Sequence, residues 1–126
     1  MKKVIFTEKA PAPIGPYSQA VMAGNMLYTS GQIALHPETG ELITSDIETE
    51  TKQVMENMKA VLEAAGTNFS NVIKATIFIS NMDDFARING IYGSYFDEAN
   101  APARETVQVA RLPKNVNVEI SMIVIV

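Results

Sequence analysis

Two charged side chains, Arg104 and Glu119, stand in stretches patterned as β-strands. Arg104 opens Pro102-Ala-Arg-Glu-Thr-Val-Gln-Val-Ala110, where Val107 and Val109 alternate with Thr106, Gln108 and Ala110, as in a half-buried strand. Glu119 lies in an almost wholly apolar second strand from Val116 onward, joined to the first by a Pro-Lys-Asn turn. A carboxylate there is expensive unless something pairs with it or it has work to do. A guanidinium offers two parallel N–H groups that match a carboxylate ligand. A glutamate near it could hold a water or pass a proton. Together they suggest a site for a small carboxylate-bearing ligand, without naming a reaction. A structural ion pair, or an edge-strand carboxylate facing water, accounts for Glu119 just as readily.

Three further candidates join them. Tyr17 ends a loop, Ala10-Pro-Ala-Pro-Ile-Gly-Pro-Tyr-Ser18, that its prolines keep stiff. Gly31 interrupts a strand, which suggests a bulge or a close backbone approach with a free N–H facing a ligand. Asn89 lies beside the buried stripe of a helix. No Gly-rich phosphate loop, Ser-His-Asp order, HExxH or CxxC pattern is present.

The elements that must position these residues read as β-β-β-α-β-α-β-β. Val4 to Thr7 is a short strand, and Gln19–Ala23 and Met26–Ser30 form a hairpin about Gly24-Asn25. Ser45-Asp-Ile-Glu48 reads as a capping box opening a helix with the stripe Ile47, Thr51, Val54, Met55, Met58, Val61, Leu62 and Ala65, closed by Gly66. Val72 to Ser80 is a strand with Ile73, Ala75, Ile77 and Ile79 on one face. Asp83 is expected to cap a second helix burying Phe85, Ile88, Tyr92 and Tyr95 or Phe96, with Gly90 and Gly93 marking close packing. The last two strands are expected as a terminal hairpin. Two helices cover only one face of such a sheet, and the final strand is apolar on both, so self-association is expected.

The chain of 126 residues is one domain, with 47 % hydrophobic and 19 % charged residues. A net charge of −4 disfavours nonspecific binding to nucleic acid or anionic lipid. Without cysteine, and with His36 alone, there is no thiolate chemistry, histidine relay or His-rich metal site. No signal-like or membrane-spanning run is seen, so a cytoplasmic protein is expected.

Ile14-Gly-Pro-Tyr-Ser-Gln19, Tyr28-Thr-Ser-Gly-Gln-Ile33, Asn57-Met-Lys-Ala-Val-Leu-Glu-Ala-Ala-Gly66 and Pro102-Ala-Arg104 through Val118-Glu-Ile120 resemble the reactive intermediate deaminase (RidA, or YjgF-like) family essentially end to end. The resemblance implies an α+β, chorismate-mutase-like fold over residues 1–126, with a mixed six-stranded sheet and two helices packed on one face. It implies a cytoplasmic homotrimer with ligand sites between subunits and no cofactor. It also implies hydrolysis of 2-imino acids released by pyridoxal-phosphate-dependent dehydratases, such as 2-iminobutanoate and 2-iminopropanoate, to 2-oxo acids and ammonia. By that resemblance Arg104 clamps the substrate carboxylate and Glu119 activates water and protonates the departing nitrogen. Tyr17, Asn89 and the Gly31 backbone line the pocket, with Ser30 and Thr106 nearby. The chain departs from the family after the arginine, where Glu105 and Thr106 replace a small residue and often a cysteine. Strand alternation should point Glu105 away from Arg104.

Two functional readings follow from the resemblance: the deaminase, and a non-catalytic regulatory member that binds a 2-oxo acid and contacts a protein partner. RNA-directed readings known among relatives conflict with the acidic balance and lack a basic stripe with interleaved aromatics.

Overall fold

The computed structural model describes residues 1–126. Its elements follow the expected order: β1 (Lys2–Ile5), β2 (Ala20–Ala23), β3 (Met26–Thr29), α1 (Ile47–Ala64), β4 (Val72–Ile79), α2 (Phe85–Gly93), β5 (Ala103–Gln108) and β6 (Val118–Ile125). The six strands make one mixed sheet in the order β1-β2-β3-β6-β4-β5. Only β4 and β5 run parallel.

The expected terminal hairpin is therefore not formed, because β4 lies between β5 and β6. The strand–helix–strand unit β4-α2-β5 decides this. A helical crossover returns the chain in the same direction, so β5 pairs parallel with β4 at the sheet edge. Residues 109–117 then carry the chain across β4, and β6 pairs antiparallel with both β3 and β4.

α1 supplies most of the helical side of the core. Its expected stripe, Ile47, Thr51, Val54, Met55, Met58, Val61, Leu62 and Ala65, is buried throughout. Truncating one of these large side chains to alanine typically costs about 2–5 kcal/mol. Gly66 ends the helix with a left-handed φ of 81°. The N-terminus differs from the expected capping box. Asp46, not Ser45, is the cap, accepting from the Thr49 N–H at 2.8 Å. Glu48 is drawn away to Arg87 of α2 by two hydrogen bonds of 2.8 and 2.6 Å, which ties the two helices together.

β4 and α2 each depart from expectation by a step. A bulge between Val72 and Lys74 expels Ile73 toward solvent, so Val72 joins Ala75, Ile77 and Ile79 on the core face. A short 3₁₀ turn, Met82–Asp84, precedes α2. Asn81 caps that turn by accepting from the Asp83 N–H, and Asp83 is not the cap. Ile88 and Tyr92 are buried, with Phe85, Tyr95 and Phe96 packed against the core, as the stripe predicts. A Cβ at Gly90 or Gly93 would meet nothing within 4 Å, so the close packing expected there is not made within the chain.

Both helices lie on one face of the sheet, over Ala75, Ile77, Ile79, Val118, Ile120, Met122 and Val124. The other face carries Val4, Tyr28, Val107 and Ile125, all more than 40 % exposed, with Phe78 and Ile123 half-buried among them. No helix of the chain is long and apolar enough to cross a membrane.

Candidate functional site

Glu119 sits one residue past Val118 and one before Ile120, both fully buried beneath the helices, so strand alternation turns it to the opposite face. There it is half-buried and has no ion-pair partner within the chain. Burial alone raises its pKa above the ordinary value of 4.5. Both bland accounts of this residue fail: nothing pairs with it, and β6 is a central strand rather than an edge.

Its carboxyl lies against Gly31. A Cβ on Gly31 would meet Glu119 Cδ, Cγ and Oε2 at 2.7, 2.8 and 2.9 Å, so with Glu119 in this position only glycine leaves room. The expected close approach at this glycine is thus made, and the group approaching is Glu119. Tyr17, Ser30 and Gly31 line the same cavity of about 590 Å³, with apolar walls from Pro11, Ile14, Ile33 and Leu35. That volume falls within the range of about 300–1,000 Å³ usual for small-molecule sites.

The cavity walls are fixed by Ser30 and by three side chains that the sequence did not single out, Gln19, Asn57 and Lys114. Gln19 is buried, accepts from the Thr7 N–H at 2.8 Å, and donates to the carbonyls of Thr7 and Pro11 at 3.0 and 2.9 Å. It thereby pins the proline-rich loop that carries Tyr17. Ser30 Oγ donates to the Ser18 carbonyl at 2.6 Å, fastening the floor to the same loop. Asn57 of α1 donates to the carbonyls of Ile33 and Leu35 at 3.2 and 2.9 Å. Lys114 also reaches the rim, from a pair of left-handed residues, Lys114 (φ 55°) and Asn115 (φ 57°). Buried amides have one legible signal, a polar residue at an apolar stripe position; the left-handed pair falls in the Pro-Lys-Asn turn read from the sequence, where asparagine tolerates that conformation.

Arg104 belongs to a different place. It aligns with Ala75 of β4 and so lies on the helix face. Its guanidinium donates to Asn89 Oδ1. The same guanidinium stands 5.2 Å from the Tyr92 ring and 5.5 Å from Phe85, a cationic group held between aromatic faces. Burial pushes the Tyr92 hydroxyl up to about 12, against the opposing pull of Arg104, so it remains a phenol. The hydroxyls of Tyr92 and Thr106 are buried without a hydrogen-bond partner. Glu105 points the other way, as alternation predicts, and bonds Lys74 at 2.9 Å.

The structure therefore divides the expected site residues in two. Tyr17, Ser30, Gly31 and Glu119 share one cavity; Asn89 and Arg104 share another, with Thr106 on the same strand face as Arg104. The two groups open on opposite faces of one sheet.

Gly31→Ala gives a sharp check on the first group. The atoms in the way are the end of a flexible side chain, so Glu119 swings aside at little cost in stability. The expected result is a melting temperature near that of the parent, with the cavity's ligand or catalytic function lost. A large drop in melting temperature would show instead that the backbone yields.

Comparisons with known proteins agree with this architecture. A profile described as Endoribonuclease L-PSP matches residues 7–126. A RutC family protein of Pyrococcus horikoshii is 55 % identical over 98 % of this chain and 97 % of its own. The 2-iminobutanoate/2-iminopropanoate deaminase of Escherichia coli K12 is 48 % identical over 99 % of this chain and 98 % of its own. The crystal structure of a Thermotoga maritima protein described as an endoribonuclease superposes with a TM-score of 0.96, at 51 % identity, covering 100 % of this chain and 98 % of that one. The chain belongs to the endoribonuclease L-PSP (RidA/YjgF) family.

Proposed function

We propose that this chain is a hydrolytic deaminase of small 2-imino acids, acting as a homotrimer in which Arg104 of one subunit faces the Glu119 cavity of the next. The carrying observation is the division of the site. One chain holds an anion fork on one sheet face and an unpaired, half-buried carboxylate on the other. Neither half suffices for the chemistry, and the exposed apolar sheet face supports assembly. The naming of an Escherichia coli relative as a 2-iminobutanoate/2-iminopropanoate deaminase supports the substrate class.

In this reading Arg104, seated by Asn89, Phe85 and Tyr92, grips the substrate carboxylate through its paired N–H groups. The imine carbon then faces Glu119. Glu119 takes a proton from water as the water oxygen bonds to that carbon, and passes the proton to nitrogen, giving a carbinolamine. The carbinolamine hydroxyl then yields its proton by way of Glu119 to the nitrogen. The carbon–oxygen double bond forms, the carbon–nitrogen bond breaks, and ammonia leaves with a 2-oxo acid. Raising the carboxyl's pKa brings it closer to neutrality, where it exchanges protons more readily. Imines hydrolyse in water unaided, so a site holding one water and one proton carrier is enough.

The word endoribonuclease in the family description does not lead the proposal. A net charge of −4 opposes a phosphate backbone. The alternative of a non-catalytic 2-oxo acid sensor uses Arg104 but leaves the raised carboxyl of Glu119 without a task.

A coupled assay tests the proposal. A pyridoxal-phosphate dehydratase acting on threonine is followed for 2-oxobutanoate release with and without this protein. Faster release is expected, and an unchanged rate rejects the deaminase. Light scattering should give three times the 13.7 kDa chain mass at micromolar concentration, and a monomer mass rejects the shared site.

A further inference from the structure

Beside the apolar stripe, α1 buries one charged side chain. Glu50 is fully buried, yet no cation pairs with it. An unpaired carboxylate is costly in such a place unless donors surround it. Three do, and all come from the two residues before Glu119. Glu50 Oε2 accepts from the backbone N–H of Asn117 at 2.7 Å and of Val118 at 3.2 Å; Oε1 accepts from Asn117 Nδ2 at 2.7 Å.

The other side of Glu119 is held too. Ile120 and Gln32 exchange backbone hydrogen bonds, with Ile120 N–H donating at 3.1 Å and Gln32 N–H at 2.8 Å. Gln32 directly follows Gly31, the residue against which the Glu119 carboxyl lies. The Asn117 carbonyl and side chain are bonded in turn by Ser80, whose N–H donates at 3.0 Å and whose Oγ donates at 3.1 Å. The peptide carrying Glu119 is thus pinned at Val118 by α1 and at Ile120 by the strand segment that shapes the cavity.

We propose that Glu50 is a positioning residue for Glu119: its two oxygens fix the Asn117–Val118 backbone so that the Glu119 carboxyl stands over Gly31 inside the cavity. The role rests on reading Glu119 as the group that handles water and proton. A carboxylate in the first turn favours the helix on its own account, but its full burial against the Asn117–Val118 backbone goes beyond that need, and the positioning role accounts for it. The consequence is that a helix on one face of the sheet sets the position of a reacting group on the other.

The full chain carries the test. Glu50→Met keeps length and apolar fit but leaves the three donors without an acceptor. Glu50→Gln keeps an acceptor for both backbone N–H groups, and its amide finds Asn117 Oδ1 when that side chain turns over. Misplacing a reacting group by about 1 Å can cost ~100-fold, so Glu50→Met is expected to lower kcat for imine hydrolysis about 10- to 100-fold. KM should stay within about 2-fold, because the Arg104 half is untouched. Glu50→Gln should restore kcat to within about 3-fold of the parent. Hydrogen–deuterium exchange over residues 116–120, read without substrate, should quicken in Glu50→Met and not in Glu50→Gln.

Melting curves fix a temperature at which all variants are folded. A folded Glu50→Met protein with the parent's kcat overturns the proposal, and so does unchanged exchange over residues 116–120. If the parent itself hydrolyses no imine, the deaminase reading fails by that control. The exchange data then decide separately whether Glu50 holds the Glu119 strand.

Discussion

Glu119→Gln is expected to slow imine hydrolysis by about 10²–10⁴-fold, the usual worth of a positioned acid–base group, while the variant still binds 2-oxobutanoate. The amide fills the same space beside Gly31 but takes no proton from water and returns none to nitrogen. Parent kcat/KM should fall on the acid side with a midpoint above the ordinary glutamate value of 4.5, because burial raises the carboxyl. The same burial gives a stability signature of definite sign. Below the unfolded pKa the group is neutral in both states, and the raised folded pKa contributes its full share of stability. As pH rises through the folded pKa, that share is lost, because a half-buried carboxylate must then be ionised. Glu119→Gln, neutral throughout, should melt above the parent at about pH 7–8 and lose that advantage below about pH 4. Hydrolysis at the parental rate would make Glu119 structural and favour a sensor built on Arg104.

Mixing two dead proteins should restore activity. Arg104→Ala loses the fork that grips the carboxylate, and Glu119→Gln loses the proton carrier, so each alone is expected to be nearly inactive. If every site takes its arginine from one subunit and its glutamate from the next, randomly mixed trimers at equal ratio hold about one intact site in four. Co-refolding the two variants should therefore recover about a quarter of the parental rate. Activity no greater than the sum of the two variants alone would mean that one chain supplies both groups. Arg104→Lys gives a graded companion: the charge stays but the paired N–H geometry goes, weakening 2-oxo acid binding by about 1.5–3 kcal/mol.

Element order, the α1 stripe and the helical coverage of one sheet face are legible in the sequence because each depends on local periodicity. Strand adjacency is not. Nothing near Pro113 reveals that β4 will come between Val107 and Val118, since that pairing is fixed by the β4-α2-β5 crossover elsewhere in the chain. One extra residue at Ile73 moves Val72 to the core face and turns Ile73 out, as a period of two demands. The capping pattern at Ser45 misleads because Asp46 offers a carboxylate to the same turn, while Glu48 finds a stronger partner in Arg87. Within the site, Gly31 was legible as a close approach and Glu119 as an anomaly. That Arg104 and Glu119 lie on opposite faces was not, because it follows from their registers against Ala75 and Phe78.

The place of β6 in the sheet bears on how the protein is made. β6 follows every other strand in sequence, yet it sits between β3 and β4 and joins two otherwise separate groups of strands. While a nascent chain still has residues 118–125 inside the ribosome, β1–β3 form one meander and β4–β5 one crossover, with no backbone ladder between them. Such long-range closure slows folding and leaves strand edges open meanwhile. Glu119 arrives with that closing strand, so a chain cut short before Val118 lacks both the seam of its sheet and its proton carrier.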